Sequence, residues 1–423
     1  MLSNIKKAWK IKEVRQKIIY TLMMIVVFRI GSKIPVPGVD TETIKGMVDS
    51  NSLLSLYNMM TGNSFSNFTL FALGIGPAIT ASIIIQLLTI GFDSLSELQK
   101  SGEEGRKKIN KYTKYTALAL AILQATGITL GIVRGALAES DNVFHIVTVI
   151  ATLVSASMLL MWIGDKITEK GLGNGSSIII FVGIISSIPT DITNMLTMVR
   201  NESINVWALV ALIVVILITI LGVTYVQEAV RKIPVQYAKR VSGRKTYGGQ
   251  SSHIPMKVNQ SGVIPVIFAS SILAFPQTLT LFMDESAQTF VSTYLNTTSS
   301  PGVFIYRTLE IILIVFFSYF YTTVSFNTED VANNMKNSGG FIPGIRPGKP
   351  TEDYLNRILS RLTLAGALFL SVIVMVSAIM MFFMNITVSL AGTSLLIVVG
   401  VALELKRQLE SNLTMRTYQG FLK

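Results

Sequence analysis

Cysteine is absent from this 423-residue chain, which excludes a disulfide framework, a thiolate metal site and a cysteine nucleophile. Histidine is nearly absent. The two present, His145 and His253, fall at the edge of an apolar segment and in a polar loop, and both read as solvated loop residues. No H-E-x-x-H occurs, and no serine has an evident histidine partner. Charge is scarce, at 14% of residues. Inside apolar runs it is confined to Arg29, Arg134, Arg307, Glu310 and Glu404, all near segment ends where side chains can snorkel. An ion-coupled transporter needs carboxylates at depth, and an intramembrane hydrolase needs a reactive constellation; the sequence offers neither. The run Gly171, Gly173, Gly175 resembles a phosphate cradle but lacks the Lys-Ser/Thr ending and a preceding strand, so it reads as a flexible, basic-flanked helix start.

What is abundant is apolar. Half the residues are hydrophobic and the mean hydropathy is +0.55, values of a polytopic membrane protein. Apolar segments cover residues 18–34, 68–92, 115–137, 143–163, 176–188, 206–226, 262–282, 305–326, 362–383 and 388–403. Most reach the roughly 20 residues a helix needs to cross a bilayer, while the fifth and tenth are short. Most of the 36 basic residues lie on one parity of loops: the N-terminal arm, 100–114, 166–170, 231–257, 336–361 and the C-terminal end. The positive-inside rule makes that face cytosolic, with both termini on it. The basic N-terminal arm has no small-residue cleavage site after the first apolar run, and reads as a retained cytosolic segment.

Two apolar stretches carry the same pattern, GIGPAITASII at 74–84 and GVIPVIFASSI at 262–272, matching at Gly74/Gly262, Pro77/Pro265, Ile79/Ile267, Ala81/Ala269, Ser82/Ser270 and Ile84/Ile272. Proline lacks an N–H and clashes with the preceding turn, so each stretch is expected to bend or break where it begins. Broken helices at matching places point to a duplication of five spans plus five. Because five is odd, the second half is inverted relative to the first, with a passage between halves. The broken helices carry Ile75, Ile79 and Ile267 rather than carboxylates, with Thr80, Gln86 and Asn259 as polar neighbours. Aliphatic pinching suits closure by dewetting. Residues 52–67 are too polar to span; they read either as an external loop with a short helix, the slightly preferred form, or as a segment folded back into a cavity. Two basic cytosolic loops, 227–257 and 327–357, suit anionic lipid or a docked partner, including one rich in RNA phosphate.

Seven strings then carry a resemblance across essentially the whole chain: GIGPAITASIIIQLL at 74–88, EKGLGNGSSIIIF at 169–181, PVQYAKR at 234–240, KVNQSGVIPVIFASS at 257–271, FIPGIRPGKPT at 341–351, RLTLAGA at 361–367 and GTSLLIVVG at 392–400. Together they closely resemble the SecY family of protein-translocation channels. The resemblance implies an all-α polytopic membrane fold of ten transmembrane helices in two inverted five-helix halves, 1–190 and 191–423, around an hourglass pore. It implies a ring at Ile75, Ile79, Ser176, Ile180, Ile267 and Ile397, with Ser176 standing where many relatives carry a larger apolar residue. Residues 52–67 then match the plug, and spans two and seven the lateral gate, with Thr80, Gln86 and Asn259 as its polar cluster. Lys239, Arg240, Arg244, Lys245 and Arg346 match the docking surface for the SecA motor and the ribosome. Further implied partners are SecE, SecG, signal sequences, nascent polypeptides and membrane lipids, in the bacterial cytoplasmic membrane. No cofactor, metal or enzymatic activity is implied. An accessory SecY-type channel for a restricted substrate set is the alternative.

Overall fold

A computed structural model describes residues 9–50, 58, 61–131, 133–137, 142–201, 205–237, 240–242, 245–247, 251–279, 285–295, 302–384 and 392–420. Each of the ten apolar segments contributes a helix. These are α1 (Lys12–Gly31), α3 (Gly76–Gly91), α5 (Glu103–Gly131), α6 (Val143–Lys170), α7 (Gly175–Arg200), α8 (Val206–Glu228), α9 (Ile264–Leu279), α11 (Gly302–Ser325), α13 (Lys349–Met384) and α14 (Thr393–Gly420). Shorter helices connect them: α2 (Thr41–Ser50), α4 (Asp93–Lys100), α10 (Glu285–Tyr294) and α12 (Thr328–Asn337). Among the described residues, five helices are long and apolar enough to cross a membrane alone, six if the pair α3–α4, bent by 103°, counts as one. The others fall short for physical reasons: α1 and α5 open on charged turns, and α9 is brief.

Packing repeats with an offset of five spans. In the first five, α1 packs on α6 and α7, α3 on α5, α5 on α6, and α6 on α7. In the second five, α8 packs on α13 and α14, α9 on α11, α11 on α13, and α13 on α14. Helix α8 is apolar on every side, yet Trp207, Leu217, Leu221 and Tyr225 are exposed. A helix of that kind faces hydrocarbon.

Three expectations change. The fifth and tenth spans are not short: α7 runs 26 residues and α14 runs 28. Helix α7 continues through Pro189, and the hydroxyls of Ser186 and Ser187 donate to the carbonyls of Gly183 and Ile184 in the turn that proline disturbs. Helix α14 leaves its apolar stretch and continues as a charged helix. The second segment shrinks instead, since residues 61–75 form turns and the helix starts only at Gly76.

The fold is also not purely helical. Strand β1 (Val230–Tyr237) pairs antiparallel with β4 (Ser251–Lys257) on one side and with β5 (Gly340–Phe341) on the other, and β2 (Arg240–Ser242) pairs with β3 (Lys245–Tyr247). Alternation at Ile233 and Val235 sends these side chains inward with Met256. They meet Met335, Ile342, Leu355, Ile358 and Leu359, so the two basic loops form one unit with its own core.

Candidate functional site

Four of the helices that begin beside a positive-φ glycine carry the ring candidates. Gly74 (φ +59°) precedes α3, Gly173 (+79°) α7, Gly262 (+64°) α9 and Gly392 (+49°) α14. In α3, Pro77 then occupies the first turn, where its missing N–H costs nothing; Pro265 is the second residue of α9. The repeated Gly-x-x-Pro is thus a helix start, and the expected break is the beginning of the helix.

The ring candidates cluster at these starts. Ile75 is the N-cap of α3, and Ile79, Ser176, Ile180, Ile267 and Ile397 lie in the first two turns of α3, α7, α9 and α14. Ile75, Ile79, Ile267 and Ile397 belong to one contiguous apolar cluster, each only 6–8% exposed. Ile178 and Ile179 of α7 join them, and Ile180, half-buried, packs against the cluster. Ser176 lies beside α6, where a Cβ placed on Gly164 would sit 3.5 Å from its Oγ. Such a cluster offers no polar partner to water.

Residues 61–68 fold inward, so the external-loop preference does not hold for the described part. Thr61, Gly62, Ser64, Phe65 and Phe68 are buried. Several polar groups here satisfy one another: Asn58 Nδ2 donates to Asn63 Oδ1 (3.0 Å), and the Ser66 N–H donates to Asn58 Oδ1 (2.8 Å), while the buried Ser64 Oγ has no partner among the described residues. Gly62, at φ +64°, lies against α7, where an added Cβ would be 2.7 Å from Gly183 Cα. Residues 52–57, 59 and 60 of this segment lie outside the described residues.

Helices α3 and α9 pack directly, with α5 also against α9. Thr80 is buried and Gln86 half-buried on α3. Asn259 is buried but spends its amide locally: Nδ2 donates to the Gly262 carbonyl (2.9 Å), and Oδ1 accepts from Ser261 Oγ (3.2 Å). That loop organises the start of α9. Two buried groups were missed from sequence, Gln124 on α5 and Ser271 on α9; Gln124 Oε1 and Ser271 Oγ have no hydrogen-bond partner among the described residues. The lone amide of Gln124 in an apolar segment was the available signal. His145 also differs from expectation: half-buried, its Nε2–H donates to the Gly38 carbonyl (3.2 Å), while His253 is exposed on β4.

On the basic face Arg346 is exposed, on a turn with Gly344 at φ +82° and Gly348 at +99°, its carbonyl accepting from Thr351 Oγ1 (2.8 Å). Arg240 pairs with Tyr247, and Lys245 with Ser242, across the β2–β3 hairpin. Lys239, Arg244 and the side chains of Arg240 and Lys245 lie outside the described residues. Lys257, at the end of β4, is half-buried; burial, then repulsion from Arg407, lowers its ammonium below the ordinary lysine range. Among the described residues no cluster of His, Asp or Glu could hold a metal ion.

Comparison with known proteins places this geometry. The SecY family model matches residues 69–406. The protein translocase subunit SecY of Streptomyces scabiei is 41% identical over the full length of both chains, and that of Aquifex aeolicus is also 41% identical over both full lengths. The one from Rickettsia typhi is 42% identical, covering 96% of this chain and 95% of its own. Among solved structures, a protein-conducting channel superposes with a TM-score of 0.69 at 20% identity, covering 94% of this chain and 92% of that one. Sec61 in a canine ribosome-channel complex superposes with a TM-score of 0.65 at 19% identity, covering 94% and 92%. At those identities the structures establish the fold, and with it a multi-pass membrane protein. The family match over most of the chain and the full-length relatives establish the rest: the chain belongs to the SecY family.

Proposed function

We propose that this protein is the channel subunit through which unfolded polypeptides cross the cytoplasmic membrane of a bacterium, and from which apolar segments pass sideways into lipid. The observation that carries this reading is the single aliphatic cluster where four helix starts meet, two from each set of five spans. Moving a chain through lipid is opposed by backbone groups that cost several kcal/mol each when unsatisfied. A passage that is wet on both sides of one aliphatic collar confines the dry path to that collar. Isoleucine suits it, having no fixed hydrogen-bond partner and fitting around varied side chains.

In this reading Ile75, Ile79, Ser176, Ile180, Ile267 and Ile397 form the collar, and residues 52–67 plug its outer side. Helices α3 and α9 are the lateral gate, with Thr80, Gln86 and Asn259 setting its polarity. We place the two halves on either side of residues 201–205, since α7 extends to Arg200 beyond the division first set at 190. Both termini face the cytosol on the positive-inside argument. Arg346 and the 239–245 tip dock the SecA motor and the ribosome, and SecE and SecG complete the complex. The names of the relatives, protein translocase subunits, and the ribosome-bound state of one structural neighbour support these assignments.

The test is reconstitution in vesicles with those partners. A chain of this function passes a signal-bearing preprotein into the lumen, and Arg346→Glu abolishes motor-driven passage while leaving membrane insertion intact. Absence of passage in the unaltered complex would defeat the reading, and unimpaired passage in Arg346→Glu would remove that residue from the docking surface.

A further inference from the structure

The glycine-rich run Gly171–Gly175 is left without a task by the channel reading, and the structure gives it one. This loop joins α6 to α7, and three of its backbone N–H groups are each taken by a side chain from a different helix. The Leu172 N–H donates to Thr21 Oγ1 of α1 (3.0 Å), and the Gly175 N–H donates to Thr168 Oγ1 of α6 (2.8 Å). Both hydroxyls are themselves spent, Thr21 donating to the Lys17 carbonyl and Thr168 to the Gly164 carbonyl. The third bond crosses between the two sets of five spans: the Gly173 N–H donates to Gln408 Oε1 of α14 at 2.6 Å, between residues 235 apart in sequence. One turn earlier on α14, Leu405 closes over the same glycine. A Cβ on Gly173 would lie 2.8 Å from Leu405 Cδ2 and 3.0 Å from Ile178 Cδ1. The loop is therefore not the flexible helix start that its composition suggests. It is a knot at which α1, α6, α7 and α14 meet.

The seam between α3 and α9 is built differently. Among the described residues no hydrogen bond or ion pair joins these two helices: Ser82, Thr89 and Ser270 bond back to their own helices, and Asn259 to its own loop. In lipid, apolar helix contacts are exchanged for lipid or for another apolar segment at little cost, whereas parting α7 from α14 also loses the Gly173–Gln408 bond. The two seams thus differ in how readily they part.

We propose that Gln408 is a positioning residue: by holding the Gly173 N–H it keeps α14 on α7, so that the halves part at α3 and α9 while the wall carrying Ile180 and Ile397 stays shut. This rests on the channel reading and adds to it a fixed side for the moving gate.

The experiment uses the full chain with its partners in vesicles and compares Gln408→Leu with Gln408→Glu. Leucine removes the acceptor at similar size; glutamate keeps an oxygen for the same N–H. Loss of one ordinary hydrogen bond corresponds to about a fivefold effect. Resting ion conductance is expected to rise about fivefold in Gln408→Leu and to return to within about twofold of the parent in Gln408→Glu, with signal-bearing preprotein still exported. A general structural defect would not be rescued by the charged variant. Because the chain has no cysteine, paired spin labels on introduced cysteines give the second measurement, in a chain that keeps Gln408. The α3–α9 separation widens when a preprotein is engaged, and the α7–α14 separation does not. Unchanged conductance in Gln408→Leu, or equal widening of both seams, overturns the proposal. If Gln408→Leu does not accumulate, the label distances decide alone. A parent complex that passes no polypeptide defeats the channel reading instead, whatever the α7–α14 distance.

Discussion

Helix pairs α3/α9 and α7/α14 both join the first five spans to the second, yet they are made of different chemistry. Among the described residues no hydrogen bond or ion pair crosses the first. The second carries the Gly173–Gln408 bond, and behind it α14 is tied to α8 by Lys406–Glu228 (2.5 Å) and by Arg407 donating to the Gln227 carbonyl. Helix association in a bilayer gains nothing from excluding water, because lipid is as apolar as leucine. A polar tie across a seam therefore bears on where a bundle yields. Here one such tie crosses between α7 and α14, and among the described residues none crosses between α3 and α9.

That contrast can be broken at its tied side most severely. Gly173→Ala combines a left-handed backbone position with a Cβ pressed on Leu405 and Ile178, and is expected to cost about 3 kcal/mol, read as lost thermal stability of the purified complex. A loss no greater than that of Gly262→Ala would show that α14 is free to shift. At the central cluster, Ile79→Asn puts an amide where no partner waits; the collar wets, and resting conductance rises about tenfold, or about 1.4 kcal/mol. An unaltered conductance would remove Ile79 from the collar. On the α3–α9 seam the effects are smaller. Asn259→Ala loses the two bonds that shape the start of α9, and Gly262→Ala meets open space and pays only for its φ of +64°. Each is expected to cost about 1 kcal/mol by thermal unfolding. Smallest is Lys406→Ala, which removes a largely solvated pair worth about 0.5 kcal/mol at low salt and nothing measurable at high salt. A salt-independent loss there would mean that the α8–α14 tie is shielded from solvent.

Much of this architecture was legible because membrane spans declare themselves by apolar length, and because proline and glycine mark where helices begin. Ile75, Ile79 and Ile267 were found from the repeat for that reason. What stayed hidden depends on partners distant in sequence. Nothing near Gln408 announces that it will meet Gly173. Ser186 and Ser187 do not look like supports for a proline until the helix is seen to continue past Pro189. The burial of residues 61–68 was masked by composition, since asparagines that bond one another read as solvated ones. The β1–β4–β5 sheet is marked in the sequence only by the alternation of Ile233 and Val235 among basic residues. Ser176 and Ile397 came through family resemblance, as neither lies in the repeated motif.

The passage from β4 into α9 has a mechanical consequence. The strand does not end in slack chain: the Val258 N–H donates to the Ala229 carbonyl (3.0 Å), Asn259 braces the next turn, and a Cβ on Gly366 of α13 would lie 3.0 Å from the Val258 carbonyl. Between Lys257 and Ile264 the chain is braced at Val258 and Asn259. The sheet is therefore joined to α9 through a braced turn, and a displacement of β4 is expected to be felt at the start of that helix.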